Sequence, residues 1–502
     1  MGLNSQIVSR LEGGVWTDAN TWLGNVVPTS ADSVVIQGNV TISGAVECSQ
    51  LVILAGASLS NTDNSCGEVK VYKNFQNFGT VFTQSPNYYC YGSTLTINCL
   101  GDISRVGDLR PQKLLISHDG EHQFYNPGND TIKCSVYFSD SAVMICHDPL
   151  MLKGIMVNGV LDMMHNDIVL ANGGGIQHDF NKYPYISLIN NPGNIYSDVS
   201  SHFGNYLTDG VIVRSEDTIR LHGSFATAGV TFEGIVVNYD SLFNLQGNCA
   251  TIVMKNKFLN KGIVTTKESN YYCYGNKLNI TLEDDLLAPG RIAPTTLYIS
   301  GNKAHHFYNE KDTINCPIFN NDSSWIVCHG PLIVNAEVRN INIDLQSNDF
   351  VLGENASWSY TDYSKSFKLK NARKIYSSKG SVCGNYETSV IEGDSIFLYG
   401  YFSSDGVKFI GNVINYDTLA NIYERYKVFY GSFTNKGTII NNTGWHVSHN
   451  FQFFGNVSNY GTWQCASIFL SGNKKRTLKL NGVSADITYF TDTIVLAGEN
   501  NA

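Results

Sequence analysis

The run Glu283-Asp284-Asp285 is the densest cluster of carboxylates in the chain. Paired carboxylates are what glycoside hydrolysis uses, one protonating the leaving oxygen and the other acting as base or nucleophile. An earlier, related stretch reads Leu100-Gly101-Asp102, so only Asp285 has a counterpart, and the run before Pro289-Gly290 reads as a solvated turn. A polysaccharide lyase would need calcium-binding carboxylates or a basic residue facing an acidic sugar. Arg105, Arg110 and Arg291 lie near this turn but do not fall at equivalent positions. Cys146-His147 and Cys328-His329 place a thiol beside an imidazole. Neighbours on a strand face opposite sides, so neither pair can form a hydrogen-bonded nucleophile and base. No Cys-x-x-Cys pair suggests zinc, and no metal or other cofactor is expected. Flat aromatic side chains are the remaining lead. Tyr89 and Tyr91, with their counterparts Tyr272 and Tyr274, share a strand face on which sugar rings could stack; the competing reading is an internal aromatic ladder. His122 and His305 are expected in surface turns.

What must position these residues is a repeat. Asn87-Tyr88-Tyr89-Cys90-Tyr91-Gly92 returns as Asn270-Tyr271-Tyr272-Cys273-Tyr274-Gly275, an offset of 183 (273 minus 90). His122-Gln-Phe124-Tyr125-Asn126 meets His305-His-Phe307-Tyr308-Asn309 at the same offset, and Cys146-His147-Asp-Pro149-Leu150 meets Cys328-His329-Gly-Pro331-Leu332 at 182. Gly223-Ser-Phe225 and Val237-Asn238-Tyr239-Asp240-Ser241-Leu242 meet Gly400-Tyr-Phe402 and Ile414-Asn415-Tyr416-Asp417-Thr418-Leu419 at 177. A partial third copy, with Asn435-Lys-Gly437 and Leu470-Ser-Gly-Asn-Lys474, closes the chain. Inside the long period runs a shorter one, Asn-x-Gly followed by a strand-forming pair, at Asn77, Asn260, Asn435 and Asn459. Asn and Gly suit tight corners, and Gly79, Gly262 and Gly437 should sit at positive φ or where a Cβ would clash. Nested self-similarity of this kind marks a solenoid.

Composition agrees. Among 502 residues there are 46 Gly, 28 Tyr and 25 Phe, and only 15% are charged. No stretch carries apolar residues at helical spacing over three turns. A net charge of −9 without a basic stripe argues against nucleic acid, and no long apolar run could span a membrane. Cys134 and Cys146 are twelve residues apart, as are Cys316 and Cys328, and either disulfide bridges or buried thiols fit that spacing.

The opening, Gly13-Gly14-Val-Trp16 through Thr21-Trp22, Gly24, Val27-Pro28-Thr29, Asp32 and Val34-Val35-Ile36, resembles the start of secreted cell-surface proteins of Bacteroidetes-type bacteria and of the eight-glycine extracellular domain. The Asn-x-Gly rungs resemble haemagglutinin-like adhesins. The resemblance implies an all-β, right-handed parallel β-helix whose N-terminal end is capped. Two exposed indoles would otherwise be costly, and covering the open end of a β-stack explains them. The expected organisation is a cap and first rungs at 1–65, repeat one at 66–248, repeat two at 249–431 and a partial third repeat at 432–502, forming one rod on the order of 100 Å long. It also implies an extracellular or cell-surface location, with the signal peptide absent from this sequence, because Met-Gly-Leu-Asn-Ser offers neither a basic nor an apolar leader region. Asp followed by Ser or Thr and an apolar residue resembles the O-glycosylation signal of such proteins, with acceptors Ser33, Thr131, Ser141, Thr218, Ser241, Thr313, Ser395, Thr418 and Thr493. The competing reading is a turn Asp leading into a strand.

The function this implies is that of a non-enzymatic adhesin or structural stalk. It would bind a surface glycan or a host or cell-surface protein through a repetitive aromatic and Asn-rich face, and would have an anchoring or secretion partner. The alternative is a β-helical polysaccharide lyase or glycoside hydrolase.

Overall fold

Alternating burial along short strands separated by corners is what the sequence dictates, and the computed structural model is built that way. It describes residues 6–62, 65–84, 95–139, 141–177, 186–190, 192–204, 211–214, 218–244, 250–267, 278–320, 322–359, 367–384, 389–421, 427–441, 451–472, 476–481, 483–490 and 494–496. Among these the structure is all-β with no α-helix, and the paired strands run parallel in stacked sheets, the arrangement of a β-solenoid. No helix among the described residues is long and apolar enough to cross a membrane.

The chain divides into two units, Met1–Asn256 with Thr266–Leu278, and Lys257–Thr265 with Asn279–Ala502. In the first, the inward residues Ile7, Val34, Leu51, Phe75, Ile103, Phe124 and Cys146 are successive register partners. All seven are buried. In the second, a column of the same kind runs His305, Ile326, Ile343, Leu369, Ile391, Phe409, Phe429, Phe453 and Leu470. Its steps range from 17 (Ile326 to Ile343) to 26 (Ile343 to Leu369) residues, each one turn of the coil. Phe409, Phe429 and Phe453 stack at 4.8 and 4.9 Å between centroids, the spacing at which neighbouring parallel strands lie. Like residues on like rungs therefore pack face to face, and the core is a set of columns.

At the N-terminal end Trp16 and Trp22 are buried, edge to face at 5.1 Å, with the Trp22 indole N–H donating to the Trp16 carbonyl at 2.7 Å. A short 3-10 turn, Ala19–Thr21, capped by the Asp18 carboxylate, holds this arrangement.

The corners follow from rung-to-rung contact. A Cβ on Gly79 would lie 2.3 Å from the Ala57 carbonyl oxygen, and one on Gly437 would lie 2.0 Å from that of Asp417. Neither glycine has positive φ; what excludes a side chain is the chain of the rung beneath. The asparagines of the same motif point inward. Asn77, Asn260, Asn435 and Asn459 are all buried. Asn415 donates to Asn435 Oδ1, and Asn435 to Asn459 Oδ1, each at 2.7 Å. Asn415, Asn435 and Asn459 thus form an internal amide ladder, which supplies partners to corner carbonyls that burial would otherwise leave unpaired.

Candidate functional site

The corner Val237-Asn238-Tyr239-Asp240-Ser241-Leu242 and its counterpart Ile414-Asn415-Tyr416-Asp417-Thr418-Leu419 show what the repeated residues do. Asn238 and Asn415 face the interior and donate to the Asp240 and Asp417 carbonyls at 3.3 and 3.0 Å. Leu242 and Leu419 enter the core. The Asp240 carboxylate accepts the Gly223 N–H at 2.8 Å, and Asp417 accepts the Gly400 N–H at 2.9 Å. Gly223 and Gly400 have φ of 76° and 71°, and a Cβ on either would lie 2.3 Å from a carbonyl oxygen of the rung below, so only glycine fits.

The same logic covers the other matched acids. Asp130 accepts from Gly107 N–H at 3.2 Å and Asp312 from Gly290 N–H at 3.1 Å. Asp102 accepts from Gln123 N–H and Asp285 from His306 N–H, both at 2.8 Å. Asp322 accepts from the N–H groups of Gly301, Asn302 and Ser324 and from the Ser324 hydroxyl. Partial burial of Asp322 opposes ionisation, but the Ser324 hydroxyl and these backbone donors outweigh it and hold the carboxyl below its ordinary value. Each matched acid that the structure describes thus receives a backbone N–H, in most cases from an adjacent rung. In the run singled out for hydrolysis, Asp285 also lies 3.8 Å from Lys257, and Asp284 pairs with Lys303 at 3.2 Å.

Asp130, Asp240, Asp312 and Asp417 of the Asp-Ser/Thr pattern are held in this way. Ser33, Thr131, Thr218, Ser241, Thr313 and Thr418 are half-buried strand or corner residues, whereas Ser141 and Ser395 are exposed. Asp32 holds its own turn, accepting from the Thr29 N–H and hydroxyl at 2.9 and 2.7 Å. Thr493 lies outside the described residues, as do Tyr89, Tyr91, Tyr272 and Tyr274.

The histidines require a correction. His122 and His305 are not in surface turns but on strands, 4% and 0% exposed, at inward positions. The reason is capping of neighbouring backbone. His122 Nδ1 and Nε2 each lie 3.0 Å from a carbonyl oxygen, of Gly101 and His118, and His305 Nδ1 lies 3.0 Å from that of Asp284. His147 and His329 point outward while Cys146 and Cys328 point in, so the thiol and imidazole are on opposite faces as strand alternation requires.

Cys134, Cys146, Cys316 and Cys328 are free, buried thiols, joined in this state by Cys48, Cys99 and Cys383. The twelve-residue loops are therefore not closed by bridges. Cys146 instead takes a core position above Phe124. Burial pushes the thiols of Cys48, Cys134 and Cys316 up to about 12, and those of Cys99, Cys146, Cys328 and Cys383 up as well. Cys66 is disulfide-bonded.

The outward aromatics that sequence reading missed form ladders. Tyr376, Tyr399 and Tyr416 stack on successive rungs at 5.1 and 4.9 Å. At matched positions Tyr196, His222 and Tyr239 stack at 4.9 and 4.7 Å. Tyr125 stacks on His147 at 4.4 Å, and Tyr308 on His329 at 4.3 Å. The Lys374 ammonium lies 5.5 Å from the Tyr399 centroid and that of Lys436 lies 4.9 Å from the Tyr416 centroid, within cation–π range. Rings stacked in this way cover one another's faces. What they offer to solvent is a row of edges and phenol hydroxyls, with Lys436 over the ring of Tyr416 at the end of its ladder. Comparison with protein-family models, with curated proteins and with solved structures finds no match for this chain.

Proposed function

We propose that the chain is a secreted or surface-displayed, right-handed parallel β-helix built from two long copies and a partial third, and that it works as a non-enzymatic adhesin or structural stalk. The observation that carries this reading is the use of the repeated residues. The matched Asp, Asn, Gly and Tyr residues of the two copies are consumed in holding one rung to the next. Duplication has kept shape, and the acids it kept are engaged with backbone N–H groups. Contact with other molecules falls to the outward ladders, whose phenol hydroxyls and lysines can hydrogen-bond to saccharide hydroxyls. Affinity electrophoresis through gels containing neutral polysaccharides tests this. Tyr399→Ala removes the middle ring of the Tyr376–Tyr399–Tyr416 ladder and should abolish retardation. Retardation unchanged in the variant, or release of reducing ends or unsaturated uronates by the wild type, would overturn the reading.

A further inference from the structure

One groove breaks the equivalence of the two copies. It encloses about 750 Å3 in the second unit and crosses several rungs, bordered by Lys261, Ala288, Arg291, Tyr308, Lys311 and His329. That volume is in the range of ligand clefts, about 300–1,000 Å3. The first copy shows how the space arises. At the position of Ala288 it carries Arg105, whose guanidinium lies 4.9 Å from the centroid of the Phe78 ring and 3.7 Å from the Asp130 carboxylate. An arginine thus fills in the first copy what an alanine leaves open in the second. The charges differ too. Where the first copy has Phe78 and Asp108, the second has Lys261 and Arg291, and Lys311 stands where the first copy has Gly128 or Asn129. The groove holds three cations, all exposed, against Glu310 and Asp312, and the Asp312 carboxylate already accepts the Gly290 N–H. At the equivalent positions the first copy has Arg105 against Asp108 and Asp130, and its Asp108 is already paired with Arg110 at 2.8 Å and Lys133 at 3.0 Å, so the cations there are engaged with acids of the chain. Tyr308 is 43% exposed; His329 covers one face of its ring at 4.3 Å, which leaves the other side to border the groove.

We infer that this groove is a binding site for an acidic saccharide, with uronate carboxylates held by Lys261, Arg291 and Lys311 and a sugar face laid against Tyr308. Cations at the rim steer and hold the carboxylates, and a ring at the end of a ladder supplies the flat apolar contact. The inference shares its ligand class with the reading above but names a different surface. Calorimetric titration of the full chain with a galacturonate oligosaccharide, and with its methyl-esterified form, tests it. The acid form should bind, weakening as salt rises, and the ester should bind at least about tenfold more weakly. Ala288→Arg and Arg291→Asp, which install first-copy residues, should each cost at least about tenfold, while Lys153→Ala, at an exposed lysine of the first unit outside the groove and the ladders, should bind as the wild type does. Lys311→Glu, at an exposed position, carries the same expectation and stands in should Ala288→Arg fail to fold. Equal affinity for acid and ester, or wild-type affinity in the groove variants, would overturn the inference. If Tyr399-dependent retardation by neutral polysaccharide is seen without galacturonate binding, this inference fails and the ladder reading stands. Galacturonate binding without such retardation has the opposite meaning.

Discussion

Lys427 lies wholly inside the second unit, on the strand Lys427–Phe429, between its register partners Val407 and Phe451. Its ammonium donates to the Ser404 carbonyl at 3.1 Å and lies 5.7 Å from the Phe451 centroid. Burial, opposed in part by the Asp405 carboxylate, lowers its pKa from 10.5 to about 7. The unfolded chain then binds more protons than the native one between about pH 7 and 10.5, so this residue makes stability rise with pH across that window. Below pH 7 both states are protonated and the full penalty applies. A gap of 3.5 pH units (10.5 minus 7), at about 1.4 kcal/mol each, corresponds to a penalty on the order of 5 kcal/mol. Lys427→Met keeps the apolar stem, removes that penalty and leaves the Ser404 carbonyl without this donor, at a cost of about 1–3 kcal/mol. The variant should therefore be the more stable protein at neutral pH by about 2–4 kcal/mol, with the advantage gone by about pH 10. Urea unfolding of both proteins from pH 6.5 to 10 measures the difference directly. A difference independent of pH, or one that grows with pH in the variant's favour, would refute the reasoning.

Gly437→Val sets a Cβ 2.0 Å from the Asp417 carbonyl and should lower the melting temperature sharply; an unchanged melting temperature would mean that this corner is not packed as described. Asn435→Leu removes the middle of the amide ladder between Asn415 and Asn459 and should cost about 1–3 kcal/mol for each buried group left unpaired, read by denaturant unfolding. Burial that raises the thiols of Cys48, Cys134 and Cys316 to about 12 should keep them unreactive toward iodoacetamide at pH 8 until denaturant is added, and peptide mass mapping of native protein would expose any that react.

Much of the stacked architecture was legible because corners are written in residue types. Asn-x-Gly repeats where a chain turns tightly against the rung below, and apolar alternation marks the strands between. Direction was not legible. His122 and His305 look like turn residues by type, yet their ring nitrogens serve backbone carbonyls that appear only when rungs are stacked. The ladders escaped notice because their members are unevenly spaced. Tyr196 to His222 is 26 residues and His222 to Tyr239 is 17, so no fixed period connects them. The Asp–Gly bonds had a visible signal. Gly223 and Asp240, like Gly400 and Asp417, are 17 residues apart and both ends recur, but a repeat alone does not say that its two ends touch.

The central claim is that this chain contacts saccharides through its outward ladders and does not cut them. Affinity electrophoresis of wild type and of the Tyr376→Ala, Tyr399→Ala and Tyr416→Ala triple variant through neutral polysaccharide gels, with reducing ends and unsaturated uronates assayed in the same samples, tests it most directly. The account predicts retardation of the wild type, free migration of the triple variant and no product from either. Equal retardation of the two proteins, or product released by the wild type, would contradict it.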